Sequence, residues 1–140
     1  MNKLFLDTNI WIYLMEDKGA RGQRALQIFS TIASRGDTIL VSPLILGELL
    51  VKPLRAHDRK LADRYRQAMQ SAGVKMLAME ETIAESFALL RIDGIKPQDA
   101  LHLSVAAHEG CDLFITNDDR LARAVVPGIR FIASMDRAPL

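Results

Sequence analysis

The chain has 140 residues, 49% apolar and 25% charged, with a net charge of +1 at neutral pH and one cysteine, Cys111. That length suits one domain, residues 1–140, burying about 70% of the surface its unfolded chain would expose. No apolar run approaches the ~20 residues of a membrane helix, the N-terminus lacks the pattern of a signal peptide, and a lone cysteine excludes an intramolecular disulfide or a thiolate metal cluster, so a cytoplasmic protein with no membrane partner is expected.

In chain order, Leu4 to Leu6 are apolar without alternation and end abruptly in Asp7, Thr8 and Asn9. This reads as a buried strand, hydrophobic on both faces as in parallel sheets covered by helices, delivering polar groups at its carboxyl end. Ile10 to Met15 reads as a short helix, with Trp11 and Tyr13 as core. Ala20 to Ser34 carries Ala25, Ile28, Phe29 and Ile32 at helical spacing and is stopped by Gly36-Asp37. Thr38 to Val41 is a second buried strand. Ser42-Pro43 then gives a hydroxyl cap followed by a first-turn proline, starting a helix over about 43–51 that Pro53 closes. That helix is apolar nearly all round except at Glu48, and a carboxylate there requires a partner, for which a buried Arg would serve.

His57 to Ala72 is strongly amphipathic, with Leu61, Tyr65, Ala68, Met69 and Ala72 on one stripe. Gly73 ends it, and Val74 to Met79 reads as a third strand. A helix over Glu80 to Leu90 follows, with acids in its first turn where the helix dipole favours them, and Gly94 breaks it. Lys96-Pro97-Gln98-Asp99 opens another helix running to about His108. Asp112 to Thr116 is a fourth strand, Asn117-Asp118-Asp119 starts a short helix, and Ile129 to Ala133 is a last edge strand. The alternation predicts an α/β/α sandwich on a parallel sheet of four to five strands.

Charge is unevenly spread. Lys52, Arg55, Arg59, Lys60, Arg64 and Arg66 face only Asp58 and Asp63 within their stretch, whereas acids dominate from Glu80 to Asp119. A basic surface beside an acidic one suits a polyanion processed at bound cations, although solvated helix faces produce the same pattern. Four acidic positions share one placement relative to the strands: Asp7, Glu48, Asp99 and Asp118. All four can meet over one edge of the sheet, where their mutual repulsion would be relieved by a hard divalent cation such as Mg²⁺ or Mn²⁺. With no His or Cys among the four, zinc is not the expected ion. Each acid also has a local explanation, since Asp7, Asp99 and Asp118 or Asp119 suit helix caps and first turns.

Leu6-Asp7-Thr8-Asn9, Ser42-Pro43 with Glu48 downstream, Pro97-Gln98-Asp99-Ala100-Leu101-His102 and Ile115-Thr116-Asn117-Asp118 together resemble the four signatures of PIN-domain ribonucleases, in matching order, and most closely those of VapC-type toxins of type II toxin–antitoxin systems. The resemblance implies a single PIN-like domain with Asp7, Glu48, Asp99 and Asp118 as catalytic, metal-holding carboxylates, Asp119 as substitute for Asp118, and Thr8, Asn9, Thr116 and Asn117 as supporting polar groups. It further implies Mg²⁺- or Mn²⁺-assisted hydrolysis of RNA phosphodiesters, a cognate antitoxin protein and a homodimer. Lys52, Arg55, Arg59 and Lys60 are the candidates for positioning RNA. A PIN nuclease of RNA maturation without an antitoxin, and a non-catalytic RNA- or protein-binding PIN-like module, remain alternatives. A phosphoaspartate enzyme fits less well, because the second acid of the haloacid-dehalogenase pattern is replaced by Asn9.

Overall fold

The computed structural model describes residues 1–140. Five strands, β1 (Lys3–Leu6), β2 (Thr38–Val41), β3 (Val74–Met76), β4 (Leu113–Thr116) and β5 (Phe131–Ser134), form one sheet in the order β3-β2-β1-β4-β5, and every neighbouring pair is parallel. Six helices connect them: α1 (Thr8–Glu16), α2 (Ala20–Arg35), α3 (Pro43–Arg55), α4 (Arg59–Met69), α5 (Ala84–Ile92) and α6 (Pro97–Glu109). The chain steps outward from β1 through β2 to β3 and then crosses back to β4. With right-handed crossovers this puts α1 to α4 on one face and α5 with α6 on the other. Packing follows suit, α1 lying against α2 and α3, α3 against α4, and α5 against α6. This is the α/β/α sandwich expected from the sequence.

The centre of the sheet is also the centre of the core. Leu4, Phe5 and Leu6 of β1 are buried, and the Phe5 ring stacks on Phe114 of β4 at 5.0 Å. Each such side chain contributes about 1.5–3 kcal/mol through its removal from water. Trp11 of α1, Ile28 and Ile32 of α2, and Tyr65 and Met69 of α4 join the same cluster. The expected core role of Trp11 is therefore realised, while Tyr13 is only half-buried.

Several boundaries differ from the sequence reading. Pro53 lies inside α3, which runs on to Arg55. The missing N–H removes a single bond near the end of the helix, and Pro53 is itself buried, so packing compensates. The amphipathic segment becomes helical only at Arg59, where the Asp58 side chain accepts from Leu61 N at 3.1 Å. β3 stops at Met76, since Met76 and Met79 are exposed and Leu77 alone turns inward. The helix after β3 opens with a 3-10 turn (Glu81–Ile83), and the one expected after β4 shrinks to a 3-10 turn (Leu121–Arg123). Pro127-Gly128 follows too soon for a longer helix, and a Cβ on Gly128 would stand 2.6 Å from the Ala107 carbonyl oxygen.

No helix is long and apolar enough to cross a membrane. The sheet order has one consequence for function. Its direction reverses between β1 and β4, and in open α/β sheets ligands bind beyond the strand ends at such a switch point.

Candidate active site

β1 and β4 run side by side with Leu6 opposite Ile115, so Asp7 emerges beside Thr116 at the carboxyl edge of the sheet. The Asp7 N–H bonds the Ile115 carbonyl at 2.9 Å, fixing the point where β1 ends. Ser42, just beyond β2, caps α3 by accepting from Ile45 N. This starts α3 at the same edge and sets Glu48 about one and a half turns along it. Pro97 at the first turn of α6 puts Gln98, Asp99 and His102 on facing positions of adjacent turns.

These elements enclose a cavity of about 450 Å³ lined by Asp7, Thr8, Asn9, Glu48, Gln98, Asp99, His102, Asn117 and Asp118, without one apolar side chain. All four carboxylates singled out by the sequence face it. Asp119 does not line it. Of the supporting residues, Thr8, Asn9 and Asn117 are in the lining, and Thr116 lies fully buried beneath.

The hydrogen bonds treat the four carboxylates unequally. Asp7 is a hub: Oδ1 accepts from Thr8 N at 2.8 Å, and Oδ2 accepts from the Thr116 hydroxyl at 2.9 Å. Thr116 Oγ1 in turn accepts from Asp118 N at 3.1 Å. Asp118 Oδ1 accepts from Arg120 N and Leu121 N, capping the short turn that follows. The helix-cap explanations of Asp7 and Asp118 thus hold together with their place in the cavity, because a cap at this edge of the sheet faces the switch point. Asn117 donates to the Tyr13 hydroxyl at 2.8 Å.

Glu48 has a different partner from the arginine the sequence suggested. Its Oε1 accepts from the Thr8 hydroxyl at 2.8 Å and lies 2.6 Å from His102 Nε2. Burial pushes the Glu48 carboxyl up, but the His102 and Thr8 hydrogen bonds outweigh it and hold the group below the usual range. His102 stands within a signature quoted from the sequence, which gave it no role. It closes the Pro97-to-His102 signature, three residues after Asp99, and that helical spacing was the available signal.

Asp99 accepts no hydrogen bond. Burial, together with the negative charges of Asp7 and Asp118, pushes its carboxyl up, against weaker pulls from His102 and Lys96. Such repulsion in a polar cavity fits a divalent cation with oxygen ligands. No three of these carboxylate or imidazole groups are gathered tightly enough to cage an ion as they stand. The donor set and the room therefore suit an ion that retains waters, as Mg²⁺ does.

Lys52, Arg55, Arg59 and Lys60 do not line the cavity. Lys52, one turn beyond Glu48, pairs with Glu16, and the other three sit exposed around the α3–α4 junction. The cations beside the site are Lys96 and Arg120. They line an adjoining groove of about 350 Å³ that shares Asp99 and Asp118 with the cavity and has Leu90, Ile95, Leu121 and Val125 in its walls.

Among curated proteins none matches the sequence. Among solved structures, the chain is similar to VapBC2 from Rickettsia felis bound to a promoter DNA fragment, with a TM-score of 0.74 at 18% identity over 94% of this chain and 98% of the other. It is also similar to VapC20 of Mycobacterium tuberculosis, a sarcin–ricin loop cleaving toxin, with a TM-score of 0.70 at 22% identity over 91% and 98%. A third is DNA-bound VapBC from Salmonella typhimurium, with a TM-score of 0.67 at 22% identity over 96% and 99%. Residues 4–126 match the PIN domain family, nearly all of the chain that builds the sheet and the cavity, and the chain belongs to that family.

Proposed function

We propose that this chain is a divalent-cation-dependent endoribonuclease, a single PIN-like domain over residues 1–140, acting in the cytoplasm as the toxin of a toxin–antitoxin pair. The observation that carries this reading is the wholly polar cavity at the switch point with Asp7, Glu48, Asp99 and Asp118 in its lining. Support for the toxin role comes from the fold shared with VapBC complexes and with a toxin named for cleaving the sarcin–ricin loop.

Asp7, Glu48, Asp99 and Asp118 would hold Mg²⁺ or Mn²⁺, which when bound supplies Lewis-acid polarisation of the phosphate and activation of the attacking water. The protein's own part is orientation. Thr8 and Thr116 lock both oxygens of Asp7, and Asn117 is set by Tyr13. Asn9 and Gln98 present amides to the cavity. Lys96 and Arg120 hold the RNA backbone in the adjoining groove, while Lys52, Arg55, Arg59 and Lys60 provide a more distant basic approach.

For the antitoxin, the fitting surface is a mainly apolar groove among α1, α2 and α4, lined by Trp11, Leu14, Phe29, Ile32 and Ala68. Two buried polar atoms on it, Trp11 Nε1 and Asp37 Oδ2, have no partner within the chain. A bound segment that also carried a basic side chain into the carboxylate cavity would compete with the cation. Exposed Leu89 and Ile92 suit a second copy of the chain in a homodimer.

The second reading is a PIN-like module that binds RNA or protein without cleaving it, and what favours it is the absence of a ready-made metal cage. Incubation of 5′-labelled RNA with antitoxin-free protein in Mg²⁺, Mn²⁺ or EDTA, beside Asp7→Asn, separates the two. Cutting that requires metal and disappears in the variant supports the nuclease. Intact RNA with metal bound and the fold retained supports the module.

A further inference from the structure

His102 is 2% exposed and sits on α6 in the cavity floor, its ring 5.7 Å from that of Phe5. Its Nδ1 is buried without a partner. As a packing residue it is therefore a poor choice, since a leucine would fill the same space with no orphaned nitrogen. What the imidazole adds is Nε2. An ionised carboxylate can only accept, so Nε2 carries the proton and donates to Glu48 Oε1 at 2.6 Å. The Thr8 hydroxyl donates to that same oxygen at 2.8 Å. Both donors converge on Oε1, and Oε2 accepts from neither.

We propose that His102 is a positioning residue for Glu48: with Thr8 it commits Oε1 to the protein, so that Glu48 offers only Oε2 to the cavity and serves as a one-oxygen ligand for the cation. The proposal rests on the metal-dependent reading above. Thr8 also donates its backbone N–H to Asp7, so the two ligands share one anchor, and His102 makes the second point that stops the Glu48 carboxylate from rotating. Groups that orient metal ligands in this way are usually worth 10- to 100-fold in metal affinity.

The test is calorimetric titration of Mn²⁺ alone into metal-stripped protein, for wild type, Glu48→Gln, His102→Leu, His102→Gln, Thr8→Val and the double variant Glu48→Gln/His102→Leu, with metal-free unfolding recorded for each. His102→Leu keeps an apolar filling against Phe5 and is expected to weaken Mn²⁺ binding about 10-fold or more. His102→Gln, whose amide N–H reaches about where Nε2–H does, is expected to recover most of that loss. Thr8→Val is expected to weaken binding too. In a Glu48→Gln background, His102→Leu should add less than about 2-fold, because the residue acts through Glu48.

Unchanged Mn²⁺ affinity in His102→Leu, with Glu48→Gln weakened, would overturn the positioning role and leave the metal site standing. An undiminished His102→Leu effect in the Glu48→Gln background would overturn it equally. If Glu48→Gln itself leaves Mn²⁺ binding unaltered, the metal reading fails first. Should His102→Leu not fold, His102→Gln and Thr8→Val decide: wild-type affinity in Thr8→Val together with a large loss in His102→Gln refutes the shared clamp.

Discussion

Two polar clusters lie along α1 and α3 a few turns apart, the second drawing also on α6 and the loop after β4, and they are built on opposite terms. At the far end of α1, Glu16 accepts from the Tyr65 hydroxyl and pairs with Lys52 of α3, leaving its side chain 18% exposed. At the near end, Asp7, Glu48, Asp99 and Asp118 surround a cavity, and only Glu48 lies within ion-pair distance of a group able to carry positive charge, His102. In the first cluster one acid has two partners; in the second, Asp99 has none and is repelled by its neighbours. An acid that ties elements together thus differs from acids whose charge the chain leaves uncompensated. Uncompensated charge at the switch point, rather than the number of acids, marks the site.

The contrast is broken most severely by Asp99→Asn. On the proposed reading Asp99 is a metal ligand, and losing one costs no less than losing a residue that orients one, so RNA cleavage is expected to fall at least ~100-fold in a labelled-RNA assay with saturating Mg²⁺. Cleavage within a few-fold of wild type would remove Asp99 from the machinery. Next in size is Thr116→Val, nearly the same shape without the hydroxyl. It frees Asp7 Oδ2 and the Asp118 N–H together, and a loss of roughly 10- to 100-fold in activity is expected with a stability cost of only about 1 kcal/mol. Equal losses in folding and activity would make Thr116 a packing residue.

Much of this was legible in the sequence, for reasons that differ by element. Leu4 to Leu6 cannot be mistaken for an alternating surface strand, and Asp7-Thr8-Asn9 directly after it locates the strand end and the site at once. Ser42-Pro43 fixes the start of α3 and hence the height of Glu48. What the sequence concealed were relations across the sheet. The partner of Glu48 lies 54 residues away on a helix from the opposite face, so no local pattern names it. The basic residues near position 55 drew attention by their density, yet Lys96 and Arg120, isolated in sequence, are the ones beside the carboxylates. Pro53 misled because proline's effect depends on how much helix remains after it, and here that was half a turn.

A smaller effect is expected at the other cluster. Tyr65→Phe deletes the hydroxyl that donates to Glu16 and keeps the ring in the core, so stability should fall by about 1–2 kcal/mol in urea unfolding while RNA cleavage stays at the wild-type rate. A matching loss of cleavage would mean that the two clusters are coupled through α1 and α3, and the distinction between them would need redrawing.

The smallest effects carry opposite signs and sharpen the comparison further. Burial pushes the Glu16 carboxyl up, but the Lys52 and Tyr65 hydrogen bonds and the charges of Lys52 and Arg64 prevail and hold it below the usual 4.5. A lowered folded-state value stabilises the protein above pH 4.5, and that stability is lost as the pH falls through the folded-state value. Glu16→Gln should therefore be less stable than wild type at pH 7, with the gap closing on acidification below about 4.5. Asp99 runs the other way. Its folded-state value is raised above the usual 3.8, so the folded chain holds that proton more tightly than the unfolded chain, and stability is lost as the pH climbs from the ordinary value through the raised one. Metal-free Asp99→Asn should then be slightly more stable than wild type at pH 7, with the gain shrinking in high salt and vanishing in acid. Urea unfolding of both variants between pH 3 and pH 7 reads the two differences, and because both gaps close in acid from opposite sides, a shared sign at pH 7 would refute the assignment of one cluster to structure and the other to function.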